Sequence, residues 1–328
     1  MFNKSMSKAP GDKQGSLNND VLLIEEGGNY MALEIKSFKA KDGAELKYVD
    51  VGSGKPFLYI YGMGSSIESQ TPFIEAMSEK GRIICFDQRA FGITPAQGQM
   101  GIDQSARDAQ DLLDYLGIEK TVIFGYSMGG AAVFSYLEQF GCGRIEKVLI
   151  GDMSPKLISE GDWKLGLYQG WYTREMYEQD LKDISGGNYK HFALILSEQI
   201  LLQHTPDEVR DFTGTDDEIR ARITAKRNDL IAQVLFANLV DLSDEHIEAN
   251  YYYWQTMASA DFRPVLKNIT VPVGLLHAVP GSIYNPETQA YMAGQIPDAT
   301  LMPMENCTHM AAGEDPVKWR KYITDFVF

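Results

Sequence analysis

The sequence has few cysteines, no long apolar run and fewer basic than acidic residues. Its three cysteines, Cys85, Cys142 and Cys307, are too few and too scattered for a disulfide framework or a metal cluster. Such sparse use of cysteine is typical of a reducing compartment, so we predict a cytoplasmic protein. No segment reaches the roughly 18 consecutive apolar residues that cross a bilayer, and the first 30 residues lack the apolar centre of a signal peptide. We therefore expect neither export nor membrane insertion.

The charge balance also narrows the class of partner. Thirty Lys and Arg against 45 Asp and Glu give a formal net charge of −15, which opposes the binding of nucleic acids and other polyanions. With 44% hydrophobic and 23% charged residues, the composition is that of a globular protein and not of a disordered one. A chain of 328 residues buries enough surface for a full core without metals or disulfides. The charge balance therefore disfavours nucleic acid as a partner.

Short runs of β-branched and aromatic residues alternate with amphipathic segments along most of the chain, which predicts an α/β fold with a mainly parallel sheet. The predicted strands are 33–38, 46–51, 57–61, 83–86, 121–124, 147–150, 271–277 and 300–303. The predicted helices between them are 67–79, 102–116, 128–140, 286–295 and 315–326. Residues 1–30 show little periodicity and are predicted to form a flexible leader.

Between residues 154 and 260 the pattern changes to long helix-like stretches without a convincing strand. One of them is 216–239, in which apolar residues fall near helical spacing. This block interrupts a core of 31–153 and 261–328. Its position fits a helical cap over the carboxyl edge of the sheet, where open α/β sheets bind their ligands. Its aromatic residues are candidates for core packing and, in part, for an apolar pocket: Trp163, Trp171, Tyr172, Tyr177, Tyr251, Tyr252, Tyr253 and Trp254.

The strongest local signal is a G-x-S-x-G motif at 125–129, directly after an apolar strand pattern and directly before a helical one. A sharp turn from strand to helix holds the serine of such a motif in a strained conformation, and the glycines avoid collisions with neighbouring backbone. The helix amino terminus beside the serine favours developing negative charge. Ser127 is therefore the candidate nucleophile.

Three other segments accompany this motif. Residues 61–64 follow the third strand, 87–92 follow the fourth, and 151–155 follow the sixth. With 125–130 they resemble the α/β-hydrolase superfamily over residues 33–328, and within it the small esterases grouped with cofactor-free haloperoxidases. The resemblance implies a mostly parallel eight-stranded sheet with helices on both faces and an inserted helical cap. It also implies a triad in the order serine, acid, histidine.

The resemblance assigns further parts of the site. The oxyanion donors it implies are the backbone N–H groups of Met128, next after the nucleophile, and of Met63, in the loop after the third strand. The implied general base is His309, just after the last strand and before the final helix, and the other four histidines are assigned to packing or solvent. Asp87 is assigned to bracing the loop under the site. No cofactor or metal is required by this chemistry.

The acid is the point at which the sequence departs from the family pattern. The usual carboxylate position, after the strand 271–277, falls on Gly281, which cannot orient an imidazole. Some relatives carry the acid one strand earlier, where this chain has Asp152. Asp152 is the candidate acid. A Ser-His dyad, an acid from the inserted block and Glu305 remain open as alternatives.

These assignments predict a serine hydrolase of carboxylic esters, lactones or thioesters, acting on a small, largely apolar substrate through an acyl-enzyme. The alternative is a ligand-sensing protein on a hydrolase scaffold, with slow or absent turnover, which the missing carboxylate at Gly281 favours. Perhydrolysis with acetate and peroxide is a third option, implied by the resemblance to the haloperoxidase group.

Overall fold

The computed structural model of the protein describes residues 33–205 and 209–328, so the predicted leader, 1–30, lies outside the described residues. The strands are β1 (Lys36–Lys39), β2 (Glu45–Val51), β3 (Pro56–Ile60), β4 (Arg82–Phe86), β5 (Thr121–Tyr126), β6 (Ile145–Gly151), β7 (Val273–Val279) and β8 (Ala299–Glu305). The helices flanking them are α1 (Ile67–Ser78), α2 (Ile102–Tyr115), α3 (Met128–Phe140), α9 (Arg263–Leu266), α10 (Pro286–Gln295), α11 (Ala311–Glu314) and α12 (Pro316–Val327). Between β6 and β7 lie α4 (Arg174–Ser185), α5 (Tyr189–Leu201), α6 (Asp216–Lys226), α7 (Leu230–Leu235) and α8 (Asp244–Ser259).

The strands form one sheet in the order β1-β2-β4-β3-β5-β6-β7-β8. The strand β2 is antiparallel to both of its neighbours, and every pair from β4 to β8 is parallel. The predicted fold class, an α/β protein with a mostly parallel eight-stranded sheet, is confirmed. The predicted strands and helices of the core match the observed ones to within about two or three residues at their ends, a normal uncertainty for element boundaries.

Alternate residues of the central strands pack on opposite faces of the sheet, as the period of two requires. On one face, Leu58 of β3 and Ile123 of β5 join the core formed with α2, α3 and the helices between β6 and β7. On the other face, Phe57 and Val122 join the core formed with α1 and α12. Helices therefore cover both faces, which explains why the central strands read as continuous apolar runs.

The segment 216–239, predicted as a helix-like stretch, is helical over most of its length, but it is divided into two helices and a π-helical turn. The helix α6 ends before Arg227, whose backbone is extended at φ −148° and ψ 113°. Asp229 then caps α7 by accepting a hydrogen bond from the N–H of Ala232. A π-helical turn, Phe236–Val240, follows. Apolar spacing continued across the break, but the capping aspartate favoured a new helix start.

In the part of the chain that the structure describes, no helix is both long enough and apolar enough to span a bilayer. Cytoplasmic location stays a prediction.

Candidate active site

Ser127 lies in the turn between β5 and α3 with a backbone φ of 54° and ψ of −125°, a conformation that non-glycine residues rarely adopt. The turn is too tight for side chains at the flanking positions. A Cβ on Gly125 would lie 2.2 Å from the carbonyl oxygen of Gly129, and one on Gly129 would lie 1.9 Å from that of Ile60. The glycines of the motif are thus required by close backbone contacts, as the sequence predicts.

His309 lies in the loop between β8 and α11, and its Nε2 is 2.9 Å from Ser127 Oγ. The imidazole is 3% exposed. The ring of Tyr126 stacks on it with a centroid separation of 5.5 Å and an interplanar angle of 17°. Burial raises the pKa of the Tyr126 hydroxyl well above its ordinary value, so the hydroxyl keeps its proton and donates it to the carbonyl oxygen of His309. The loop between β8 and α11, which we call the base loop after the predicted role of His309, is therefore held against the strand that presents Ser127.

Asp152 directly follows β6, and its Oδ2 is 2.6 Å from His309 Nδ1. The carboxylate is almost completely buried. Its backbone φ is 40°, in the left-handed region that side chains disfavour. Glu305, one of the alternatives, lies at the end of β8 and pairs instead with Lys318 on the exposed surface. The structure thus brings Ser127, His309 and Asp152 into one hydrogen-bonded chain.

The loop after β7 has no carboxylate at the usual position, and its packing leaves no space for one. A Cβ on Gly281 would lie 2.5 Å from Gln169 Nε2 and 2.8 Å from the carbonyl oxygen of His204. The next residue, Ser282, donates a hydrogen bond of 2.6 Å from its Oγ to Asp152 Oδ2. Sequence reasoning missed Ser282 and Gln169. The only sequence signal for Ser282 was its position directly after Gly281, where the family pattern places the acid.

The two predicted oxyanion donors flank Ser127. Gly62 packs directly against the serine, since a Cβ on Gly62 would lie 3.1 Å from Ser127 Cβ and 3.7 Å from its Oγ. Met63 follows Gly62 in this loop. Met128 is the first residue of α3, where backbone N–H groups have no partner within the helix. Both residues are thus near the hydroxyl, and their role as donors stays a prediction.

Asp87 braces the loop that carries Met63. Its carboxylate accepts hydrogen bonds from the hydroxyl of Tyr61 and from the N–H groups of Ile67 at 2.7 Å and Ile93 at 2.9 Å. Gln88 Nε2 donates to the carbonyl oxygen of Tyr61 at 2.9 Å. Burial raises the pKa of Asp87, while its hydrogen bonds oppose that change. These contacts fit the structural assignment of Asp87.

Cys307 and the other four histidines take no part in the hydrogen bonds that join Ser127, His309 and Asp152. Cys307 is buried, and burial raises the pKa of its thiol to about 11, which disfavours the reactive thiolate at neutral pH. The other histidines lie on β7 or along the segment between β6 and β7: His191, His204, His246 and His277. Among residues 33–205 and 209–328, no group of three His, Cys, Asp or Glu side chains is arranged to hold a metal ion.

The helices between β6 and β7 contact the loops on both sides of Ser127. The backbone of Asn238, in the π-helical turn, packs on Gly64, where a Cβ would lie 2.6 Å from the Asn238 carbonyl oxygen. Arg227 forms an ion pair with Glu314 beside the base loop. Glu314 in turn accepts a 2.6 Å hydrogen bond from the N–H of Thr308. The segment from Arg227 to the π-helical turn therefore spans the site from the base loop to the loop after β3.

Comparisons with known proteins agree with this fold. The family model of the alpha/beta hydrolase fold matches residues 55–174. A non-heme haloperoxidase of Rhodococcus erythropolis is 34% identical over 122 residues, which cover 36% of this chain and 44% of that protein. A pimeloyl-[acyl-carrier protein] methyl ester esterase of Nitrosospira multiformis is 26% identical over 205 residues, 62% of this chain and 67% of that one. The chain covers less than half the length of the haloperoxidase, and the same holds for two non-heme chloroperoxidases that it also matches.

Solved structures show the same fold over most of the chain. An esterase from Exiguobacterium antarcticum superposes with a TM-score of 0.69 at 18% identity, covering 89% of this chain and 98% of the esterase. A bromoperoxidase from Bacillus anthracis gives 0.68 at 20% identity, covering 89% and 99%. Sheet order, the turn that holds Ser127 and these similarities lead to one conclusion. The chain has the α/β-hydrolase fold, and it resembles the non-heme haloperoxidases and small esterases that share this fold.

Proposed function

We propose that the protein is a serine hydrolase that cleaves carboxylic esters, lactones or thioesters of small, largely apolar substrates through an acyl-enzyme. The observation that carries the proposal is the continuous contact from Ser127 Oγ to His309 Nε2, at 2.9 Å, and from His309 Nδ1 to Asp152 Oδ2, at 2.6 Å. The first distance allows the transfer of the Ser127 proton to His309, and the second allows Asp152 to orient the imidazole and to stabilise its charged form.

The reaction follows from these contacts. His309 Nε2 takes the proton of Ser127 as Oγ attacks the substrate carbonyl, and Asp152 stabilises the imidazolium that forms. The backbone N–H groups of Met63 and Met128 hold the tetrahedral oxyanion. His309 then returns the proton to the leaving alcohol or thiol, which leaves the acyl group on Ser127. Water, deprotonated by the same imidazole, releases the carboxylic acid and restores the serine.

The helices of 154–260 act in this proposal as a cap over Ser127. Support comes from the contacts of this segment with the loops of Met63 and His309, and from Ile231, whose Cδ1 would lie 3.3 Å from a Cβ on Gly313. Met63, Met310 and Ile231 are partly buried apolar side chains around these contacts. Charged groups nearby, such as Arg227, are paired. An apolar acyl group fits such surroundings better than a charged one.

Serine-directed labelling tests the proposal. A fluorophosphonate probe should label the folded protein at neutral pH, and Ser127→Ala should abolish both labelling and ester hydrolysis. Ser135→Ala is the matched control, because Ser135 lies on the same helix and its hydroxyl bonds Asp103 instead. Labelling that persists in Ser127→Ala, or no labelling of folded wild type, would reject the hydrolase and support a ligand-sensing role.

The acyl group can be defined with the same assay. We expect kcat/KM on p-nitrophenyl esters to rise with acyl length until the capped pocket is filled, and then to fall. Lactones and thioesters measured in parallel assign the leaving group. A preference for charged acyl groups would contradict the assignment of an apolar acyl group while leaving the serine chemistry intact.

A further inference from the structure

The loop between β7 and α10 touches the acid of the proposed triad. In this loop Ser282 is completely buried, and its hydroxyl donates to Asp152 Oδ2 at 2.6 Å. We propose that Ser282 is a positioning residue of the reaction, which fixes the Asp152 carboxylate so that it orients His309. The proposal rests on the proposed function. In this proposal the loop after β7 supports a carboxylate, that of Asp152, which is supplied by the loop after the neighbouring strand β6.

The direction of the Ser282 hydrogen bond is set by its second contact. The N–H of Tyr284 donates to Ser282 Oγ at 3.2 Å, so the oxygen serves that group as acceptor and its own proton is directed to Asp152. Oδ2 of Asp152 is also the atom that faces His309 Nδ1 at 2.6 Å. One carboxylate oxygen thus receives two donors. Hydrogen bonds to an ionised carboxylate are shorter and stronger than neutral ones.

Gln169 holds the Ser282 loop in place from the other side. Its Nε2 donates to the carbonyl oxygen of Ser282 at 2.9 Å and to that of His204 at 3.0 Å. Its backbone N–H donates to the carbonyl oxygen of Ile283 at 2.9 Å. Gln169 is itself buried and has a left-handed backbone at φ 54°, a conformation that persists only where the surroundings impose it. Ser282 is therefore fixed on both sides before any substrate binds.

This arrangement has a kinetic consequence. Proton transfer from Ser127 is much faster when a correctly oriented carboxylate stabilises the imidazolium that forms. Without the Ser282 hydroxyl, the buried Asp152 oxygen loses one of its two donors and gains rotational freedom. The loss affects the chemical step, because Ser282 contacts Asp152 and not the substrate. We expect Ser282→Ala to lower kcat about tenfold with KM nearly unchanged.

The test compares Ser282→Ala with Ser135→Ala. Both changes remove one buried serine hydroxyl that donates to an aspartate, Asp152 in one case and Asp103 in the other. The readouts are kcat and KM on a p-nitrophenyl ester, and the downfield proton resonance of His309 Nδ1–H. We expect lower kcat and a shifted or broadened resonance in Ser282→Ala alone. Equal kcat in the two variants, with an unchanged resonance, would overturn the proposal.

If Ser282→Ala folds poorly, a second variant tests the same proposal. Ser282→Cys keeps the size of the side chain with a weaker donor, so its kcat should fall severalfold, and an unchanged kcat would count against Ser282. Failure of the proposed function is separately visible, because wild type would then show neither labelling nor turnover. In that case the His309 resonance still reports whether Ser282 fixes the Asp152–His309 contact, and no change in it would overturn the positioning role.

Discussion

The loops after β6 and β7 start side by side and contribute differently to the site. Both strands are parallel, Gly151 pairs with Leu276, and the N–H of Asp152 donates to the carbonyl oxygen of Leu276 at 2.8 Å. The loop after β6 supplies the carboxylate that faces His309. The loop after β7 supplies a neutral hydroxyl, from Ser282, to that carboxylate.

The comparison shows that the imidazole requires a carboxylate oxygen at a particular position, whichever loop supplies it. Neighbouring parallel strands end at the same edge of a sheet, so either loop reaches that point. In this protein, local packing determines which of the two loops supplies the carboxylate. Asp152 adopts a left-handed backbone that directs its side chain to the imidazole. At Gly281 the corresponding volume is filled by Gln169.

Removing the charge from the β6 loop should have the largest effect. We predict that Asp152→Asn lowers kcat by about three to four orders of magnitude, because the amide favours the wrong tautomer of His309 and cannot stabilise the imidazolium. Steady-state kinetics on a p-nitrophenyl ester, with circular dichroism to check folding, measure this. A loss below about tenfold in a folded variant would remove Asp152 from the triad.

Returning a carboxylate to the β7 loop should fail. We predict that Gly281→Asp does not restore activity to Asp152→Asn, because its Cβ would collide with Gln169 Nε2 and the carbonyl oxygen of His204. In the wild-type background it should destabilise the protein by about 1–3 kcal/mol, the usual cost of overpacking. Urea unfolding and kinetics of the single and double variants test this. Recovery of more than tenfold in the double variant would show that the loop accepts either arrangement.

Loosening the β7 loop should have a smaller effect. Gln169→Ala removes two side-chain hydrogen bonds, to the carbonyl oxygens of Ser282 and His204. We expect a severalfold lower kcat and a stability loss of about 1–3 kcal/mol, because buried carbonyl groups lose their donors. The comparison with Ser282→Ala is informative. A kcat of Gln169→Ala below that of Ser282→Ala would mean that the loop acts on more than the Asp152 carboxylate.

Changing Glu305, the other carboxylate considered as the acid, should have the least effect. Glu305→Gln should leave kcat within about twofold of wild type, because this side chain is exposed and pairs with Lys318, and exposed ion pairs contribute only about 0–1 kcal/mol. The same ester assay measures it. A loss comparable to that of Asp152→Asn would transfer the role of the acid to Glu305.

Much of the architecture could be predicted because it depends on local patterns. Apolar runs and amphipathic periods located the strands and helices of the core. The strand, G-x-S-x-G and helix sequence predicted the turn at Ser127, whereas His309, between the last strand and the last helix, became the candidate base through the resemblance to the α/β-hydrolase superfamily. In 216–239 the apolar spacing indicated the helical character but not the break, since the spacing continued through the break that Arg227 and Asp229 impose.

The resemblance to the α/β-hydrolase superfamily implied His309 as the candidate base. The sequence by itself determined the class of fold and the turn that strains Ser127, because these two follow from short-range steric and periodic constraints. It left the acid open among Asp152, Glu305, another residue or none. Only the tertiary structure decided which carboxylate faces the imidazole, and it added Ser282 and Gln169. Those contacts join residues more than a hundred positions apart, Asp152 to Ser282 and Gln169 to Ser282. Hydrogen-bond distances at such separations depend on how strands and loops pack, and no local pattern records that packing.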